Sequence, residues 1–238
     1  YIFDSLEGAP VVDLSNVEVN LNNTSYIYVT DPETQEETIV KELYSGQNRE
    51  WVSYDQIPEM LVNVTIAAED KRFLEHHGVD WLGTIRSTLG YFGGSSRVQG
   101  GSTITQQVIK NLTGNDEVTP ERKVQEIFTA LKLEKNFSKE QIMETYLNIA
   151  FFSNQCYGIQ SASKLYFNKD ISELNVAEAA TLIAITNAPT KYNPLRMNAN
   201  EDYGWRTGME ENKERRDYIL EEMYKLQMLT QSEYQKWL

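Results

Sequence analysis

From Pro58 to its last residue the chain keeps helical spacing, and its helix starts are written out in side chains. Thr103 with Gln106, Ser138 with Gln141 and Thr230 with Glu233 have capping-box spacing, in which two side chains reciprocally satisfy the free backbone N–H groups at a helix entry. Thr119 before Pro120 supplies an N-cap and a first-turn proline. The pattern predicts helices near 57–68, 80–92, 103–112, 120–135, 139–150, 158–166, 175–187, 212–227 and 231–238, and hence a mainly α fold. Residues 1–55 are different. They alternate weakly (Val17, Val19, Leu21; Tyr26, Tyr28; Ile39, Leu43) around the turn-rich run Asp31-Pro32-Glu33-Thr34, which predicts a hairpin or extended arm. The chain therefore divides into an extended or β N-terminal segment, 1–55, and a helical domain, 56–238.

Charge narrows the function. The formal net charge of −13 sits at the front: residues 1–70 hold 14 Asp and Glu against 2 Lys and Arg, and residues 71–238 hold 21 against 20. No basic face is available for nucleic acid. One cysteine, Cys156, excludes an internal disulfide, and with only two histidines, His76 and His77, no zinc site of thiolate or imidazole spacing exists. Cys156 reads as a small buried residue. No run reaches the roughly 18 apolar residues of a membrane span, and the start at Tyr1 rather than Met is expected of an excised piece whose anchor lies elsewhere.

Three stretches carry chemistry. Glu69 and Asp70 fall where the helix of Ile57, Leu61, Val64 and Ile66 stops, at the end with partial negative charge, where a carboxylate is disfavoured unless cations answer it. That suits a proton acceptor; a helix fraying into a polar loop is the plainer alternative. Ser102, Gln106 and Lys110 lie one turn apart behind the glycines Gly93, Gly94, Gly100 and Gly101, and so line one helical face. Hydroxyl, amide and ammonium in that order suit a sugar phosphate, against the alternative of a solvated face. In the next helix Val124, Ile127, Phe128 and Leu131 define the expected buried face, with Arg122 and Glu126 on the other side. These two form either a surface pair contributing about 0.2–0.5 kcal/mol or a second carboxylate among cations in a cleft with Lys110. Two separated carboxylates flanking a sugar are what acid–base chemistry at an anomeric carbon requires.

In order, the blocks Glu69-Asp70-x-x-Phe73-x-x-His76-x-Gly78, Gly100-x-Ser102-Thr103-Ile104-Thr105-Gln106-Gln107 with Lys110-Asn111, Arg122-Lys123-x-x-Glu126, Ile142-Met143-Glu144-x-Tyr146-Leu147-Asn148 and Arg215-Arg216-x-x-Ile219-Leu220 resemble the peptidoglycan glycosyltransferase family, glycosyltransferase family 51, found in class A penicillin-binding proteins and in monofunctional enzymes. The resemblance spans about 58–225. It implies a lysozyme-like, two-lobed helical fold with a mobile, membrane-facing lobe near Gly93–Ser96. It also implies an enzyme that polymerises lipid II into β-1,4-linked glycan with inversion and release of undecaprenyl diphosphate. Glu69 would be the base and Glu126 the second essential carboxylate. Asp70, Arg86, Ser102, Thr103, Gln106, Gln107, Lys110, Asn111, Arg122 and Lys123 would hold substrate, the cations answering the diphosphate. No metal ligand is implied in the protein itself, although a divalent cation, Mg2+ or Mn2+, can accompany the diphosphate. The implied partners are lipid II and the growing strand, the membrane surface and a transpeptidase domain or other cell-wall synthesis proteins. The implied location is the extracytoplasmic face of the bacterial membrane, with an anchor in the full-length protein. The family's donor-site inhibitor, moenomycin, would present its phosphate at the same place.

The chain departs from the pattern at Val118, where many members carry a basic residue, at Met143 for leucine, at Asn168 for a common glycine, and at Ser153–Cys156, which lacks one. Asparagine tolerates positive φ and can keep its turn. A glycan-cleaving enzyme of lysozyme type needs no cation cluster, and a catalytically silent scaffold needs neither glutamate; Lys110, Arg122 and Lys123 argue against the first, Glu69 and Glu126 against the second.

Overall fold

The structure is a computed structural model that describes residues 12–15, 17, 25–30, 37–43, 49–85, 101–114, 117 and 119–238, with backbone alone for the two strands. Arg86, the stretch Gly93–Ser96, Gly100 and Val118 lie outside the described residues. The predicted hairpin is present: β1 (Ser25–Thr30) pairs antiparallel with β2 (Glu37–Leu43), Thr30 opposite Glu37 and Ser25 opposite Leu43, with an irregularity at Ile27/Tyr28.

Beyond it the described chain is helical, as expected. α1 is Glu59–Glu69, α2 Ile104–Thr113, α3 Pro120–Asn136 and α4 Lys139–Ile149. α5 is Ile159–Phe167, α6 Val176–Asn187, α7 Gly208–Lys225 and α8 Gln231–Trp237. The boxes at Thr103, Ser138 and Thr230 and the Thr119 cap all form. Of the helix expected over 80–92, residues 81–85 are described and helical.

Seven of the twelve residues of α6 are buried, so it has almost no solvent face and becomes the central helix. α1 and α7 pack on it and on each other. α2 packs on α3 and α4 as a second group. The chain ahead of α1 is stapled to α4: Val52 N–H donates to Asn148 Oδ1 at 2.8 Å, Asn148 Nδ2 donates to the Val52 carbonyl at 2.7 Å, and Glu144 accepts from Trp51 Nε1 and Tyr54 N.

Two helices differ from expectation. α7 starts at Gly208 rather than 212, because Thr207 and Glu210 form a further capping box. Glycine, a poor helix former, hides that start in the sequence; it is required here because a Cβ would lie 1.8 Å from the Asn193 carbonyl oxygen. In α3 the inward face is Glu126, Thr129, Ala130 and Leu133, and the expected apolar face is left half-exposed, with Phe128 42% exposed. The reason is close approach: a Cβ on Gly78, which has φ +88°, would lie 2.5 Å from the Ala130 carbonyl oxygen, so only the small face of α3 fits against that loop.

Asn168 does take the left-handed conformation at the end of α5, φ 53°. Ser153, Asn154 and Gln155 follow one another at φ 67°, 48° and 58°, held by Phe152 N–H to the Cys156 carbonyl at 2.8 Å and by Asn193 Nδ2 to Ser153 Oγ at 3.1 Å. Cys156 is buried and free, and burial pushes its thiol up to about 12.

Candidate active site

Where the two helix groups meet, a cleft of about 510 Å³ opens, walled by the end of α1, one face of α2, the start of α3, the end of α6 and Arg215 of α7. Ser102, Gln106, Gln107, Lys110 and Asn111 all stand on it, so the predicted polar stripe is a cleft wall rather than a solvated surface. Gln106 does double duty, its Oε1 accepting from Thr103 N–H at 2.9 Å in the capping box. Glu69, Arg122 and Glu126 also line the cleft.

Asp70 and Thr103 are close by but turned inward. Asp70 Oδ2 accepts from Ile104 N–H at 3.0 Å, answering the open N-terminus of α2, and sits 2.9 Å from His76 Nε2. Thr103 Oγ1 donates to the Gly78 carbonyl at 2.7 Å. The block Glu69–Gly78 is thus a clamp: it ends α1, starts α2 and rests Gly78 on α3. Asp70 and Thr103 build the wall from behind; neither lies on the cleft surface.

The two glutamates have different surroundings. Glu126 is 6% exposed, and its carboxylate is shared between Arg122 and Lys123. Lys123, set behind the wall, also donates to Ser102 Oγ at 3.2 Å. Glu69 has no cation partner among the described residues. Its Oε2 accepts from Gln107 Nε2 at 2.9 Å and its Oε1 from Thr186 Oγ1 at 3.1 Å. Lys110 is exposed on the wall and has no carboxylate partner among the described residues. Arg122 Nε and Arg215 Nε are buried donors without an acceptor there. The cleft therefore presents one carboxylate free of charge compensation, one saturated with it, and spare cationic donors.

A model of one protein family matches residues 36–224, and its description is Transglycosylase. The chain belongs to the transglycosylase family. Among curated relatives, penicillin-binding protein 1F of Bacillus subtilis (strain 168) is 42% identical over 181 residues, 76% of this chain and 24% of its own length. Penicillin-binding protein 1A of Neisseria lactamica is 41% identical over 188 residues, 79% and 22%, and that of Aquifex aeolicus (strain VF5) 44% identical over 149 residues, 63% and 20%. The chain thus spans about a quarter or less of the length of these relatives.

Within this transglycosylase domain, the cleft residues that sequence reading missed as site residues include Tyr146, Thr186 and Arg215. Tyr146 and Arg215 lie inside blocks already singled out, where periodicity cannot say which of two neighbours faces inward. Arg215 donates to the Ala68 carbonyl at 3.4 Å and stands over the Tyr218 ring, while Arg216 bonds Asp217 and the Leu238 carbonyl. No sequence signal marks Thr186. Burial holds the Tyr146 phenol well above its ordinary pKa, reinforced by the charge of Glu69 and partly offset by Thr186 and Arg215.

Proposed function

We propose that this domain polymerises lipid II, and the observation that carries the reading is the asymmetry between the two glutamates in one cleft. Glu69, uncompensated and held by two neutral side chains, is suited to accept a proton. Glu126, bound to Arg122 and Lys123, is suited to hold cations in place. The acceptor's sugar hydroxyl attacks the donor's anomeric carbon from the face opposite the diphosphate, and its proton passes to Glu69 as the new C–O bond forms. The bond from anomeric carbon to diphosphate breaks, and the departing charge is met by Lys110, Arg122, Arg215 and, through Glu126, Lys123. Attack opposite the leaving group inverts the anomeric centre and gives a β-1,4 link.

A divalent cation fits these residues poorly. No group of three or more His, Cys, Asp or Glu able to hold a metal exists among the described residues, and Glu126 is already occupied by cations. A metal enters this reading only as a companion of the substrate diphosphate, and no step depends on it.

Contact with the membrane surface is supported by Trp81, Leu82 and Ile85, all more than half exposed at 81–85. No helix among the described residues is long and apolar enough to cross a membrane; this reading sets the domain against the extracytoplasmic face of the membrane, where its lipid-linked substrate would be met. The relatives' greater length leaves room for a transpeptidase domain in the same protein.

Glu69→Gln tests the base. It keeps shape and hydrogen bonding but not proton acceptance, so turnover of lipid II should fall by at least about 10² while its binding stays near that of the parent. Retention of more than about a tenth of the rate removes Glu69 from the role.

A further inference from the structure

Three helices converge on the Oε1 atom of Glu69. Glu69 ends α1, Thr186 lies one residue before the end of α6, and Tyr146 lies on the buried side of α4. The Tyr146 hydroxyl is 3.4 Å from Thr186 Oγ1, its single hydrogen-bond partner among the described residues, and Thr186 Oγ1 is 3.1 Å from Glu69 Oε1. Thr186 has a second acceptor, the Ile183 carbonyl one helical turn back at 2.8 Å. A threonine hydroxyl has one proton and two lone pairs, so it can donate to Glu69 or to Ile183 but not fully to both. Both contacts in the line to Glu69 are long for O–H···O bonds, as catalytic hydrogen bonds often are before substrate arrives.

We infer that Thr186, backed by Tyr146, is a positioning residue that holds the Glu69 carboxyl in both of its protonation states. With Glu69 ionised, the hydroxyl proton turns to Oε1, since a charged acceptor makes the stronger bond. Once Glu69 has taken the acceptor's proton, the Thr186 proton turns to the Ile183 carbonyl, and a Thr186 lone pair becomes free to accept from the carboxylic acid. Tyr146, buried and always protonated, donates to Thr186 in either state, so the switch leaves no buried group unpaired. Gln107 in its observed orientation only donates, through Nε2. It fixes Oε2 and could accept only by flipping its whole amide, whereas Thr186 reverses by rotating its hydroxyl alone.

This inference rests on Glu69 being the base, and the test separates the two. Thr186→Val keeps the branched shape and removes the hydroxyl; Thr186→Ser keeps the hydroxyl and removes the methyl. In steady-state polymerisation of lipid II, kcat of Thr186→Val should fall about tenfold with KM within about twofold, and Thr186→Ser should stay within about threefold of the parent. Thr186→Ser should keep the melting temperature within about 2 °C of the parent, whereas Thr186→Val, which leaves the buried Tyr146 hydroxyl without its partner, should lower it by more than that. Combining Thr186→Val with Glu69→Gln should add little to the Glu69→Gln loss, since the two residues act as one unit. Thr186→Val with an unchanged kcat, or Thr186→Ser as impaired as Thr186→Val, overturns the positioning role while leaving the base intact. An active Glu69→Gln overturns the base itself and this inference with it.

Discussion

Replacing Glu126 with glutamine removes one charge and almost no volume. In the structure that charge is shared by Arg122 and Lys123, whose side chains are 19% and 35% exposed. Removing one partner of a fully buried pair costs about 3–5 kcal/mol, and of an exposed pair about 0–1. The carboxylate is buried, but Arg122 lines the cleft, Lys123 is partly exposed behind its wall, and glutamine keeps one acceptor oxygen. The stability loss should therefore be about 1 kcal/mol, or about 2–4 °C in melting temperature for a chain of this size. The catalytic loss should be larger. Without Glu126 Arg122 loses its carboxylate partner and Lys123 keeps only its bond to Ser102 Oγ, and one misplaced charge-assisted contact to the departing diphosphate is worth about 1.5–3 kcal/mol. That is about 10- to 150-fold in rate. Thermal melting beside a lipid II polymerisation assay reads both quantities on one preparation. A variant that polymerises within about threefold of the parent but melts well below it would refute the reasoning and reduce Arg122 and Glu126 to a structural ion pair.

The remaining predictions concern the spare cation and the strained turn. Lys110→Met keeps most of the side chain and loses its charge, so moenomycin should bind at least about tenfold more weakly, with a parallel loss of lipid II turnover. Arg216→Met, whose native contacts are Asp217 and the Leu238 carbonyl, should lower the melting temperature without that loss of affinity; unchanged moenomycin binding by Lys110→Met would mean the donor phosphates lie elsewhere. Gln155→Gly should raise the melting temperature by about 2–4 °C, because an exposed non-glycine residue at φ 58° gives up about 1 kcal/mol that glycine does not; a lower melting temperature would show that the Gln155 side chain contributes more than its backbone loses.

The helices and their starts were legible in the sequence because they are local. A capping box is closed by residues three apart, so Thr103, Ser138 and Thr230 announce their helices before any tertiary contact forms. Gln106 and Lys110 share a face of α2 by helical spacing alone, whereas Ser102 lies ahead of the Thr103 cap, outside the helix, and joins them only in the folded cleft. Even the absent glycine at Asn168 was readable, since tolerance of positive φ belongs to the residue.

What tertiary structure alone decided was which face turns inward and which partner each charge finds. The apolar stripe of α3 is only half-buried, with Ile127 and Leu131 against the core and Phe128 exposed, because Gly78 admits only the small face of the helix, and that contact joins residues 52 positions apart. Asp70 and Glu69 are neighbours in sequence with similar chemistry, yet one is spent on the N-terminus of α2 and the other opens into the cleft. Thr186 reaches Glu69 across 117 residues. Periodicity reports the repeat of one helix, but the site is assembled where α1, α2, α3, α4, α6 and α7 come together, and the relative placement of packed helices is set by long-range contacts that no local spacing encodes.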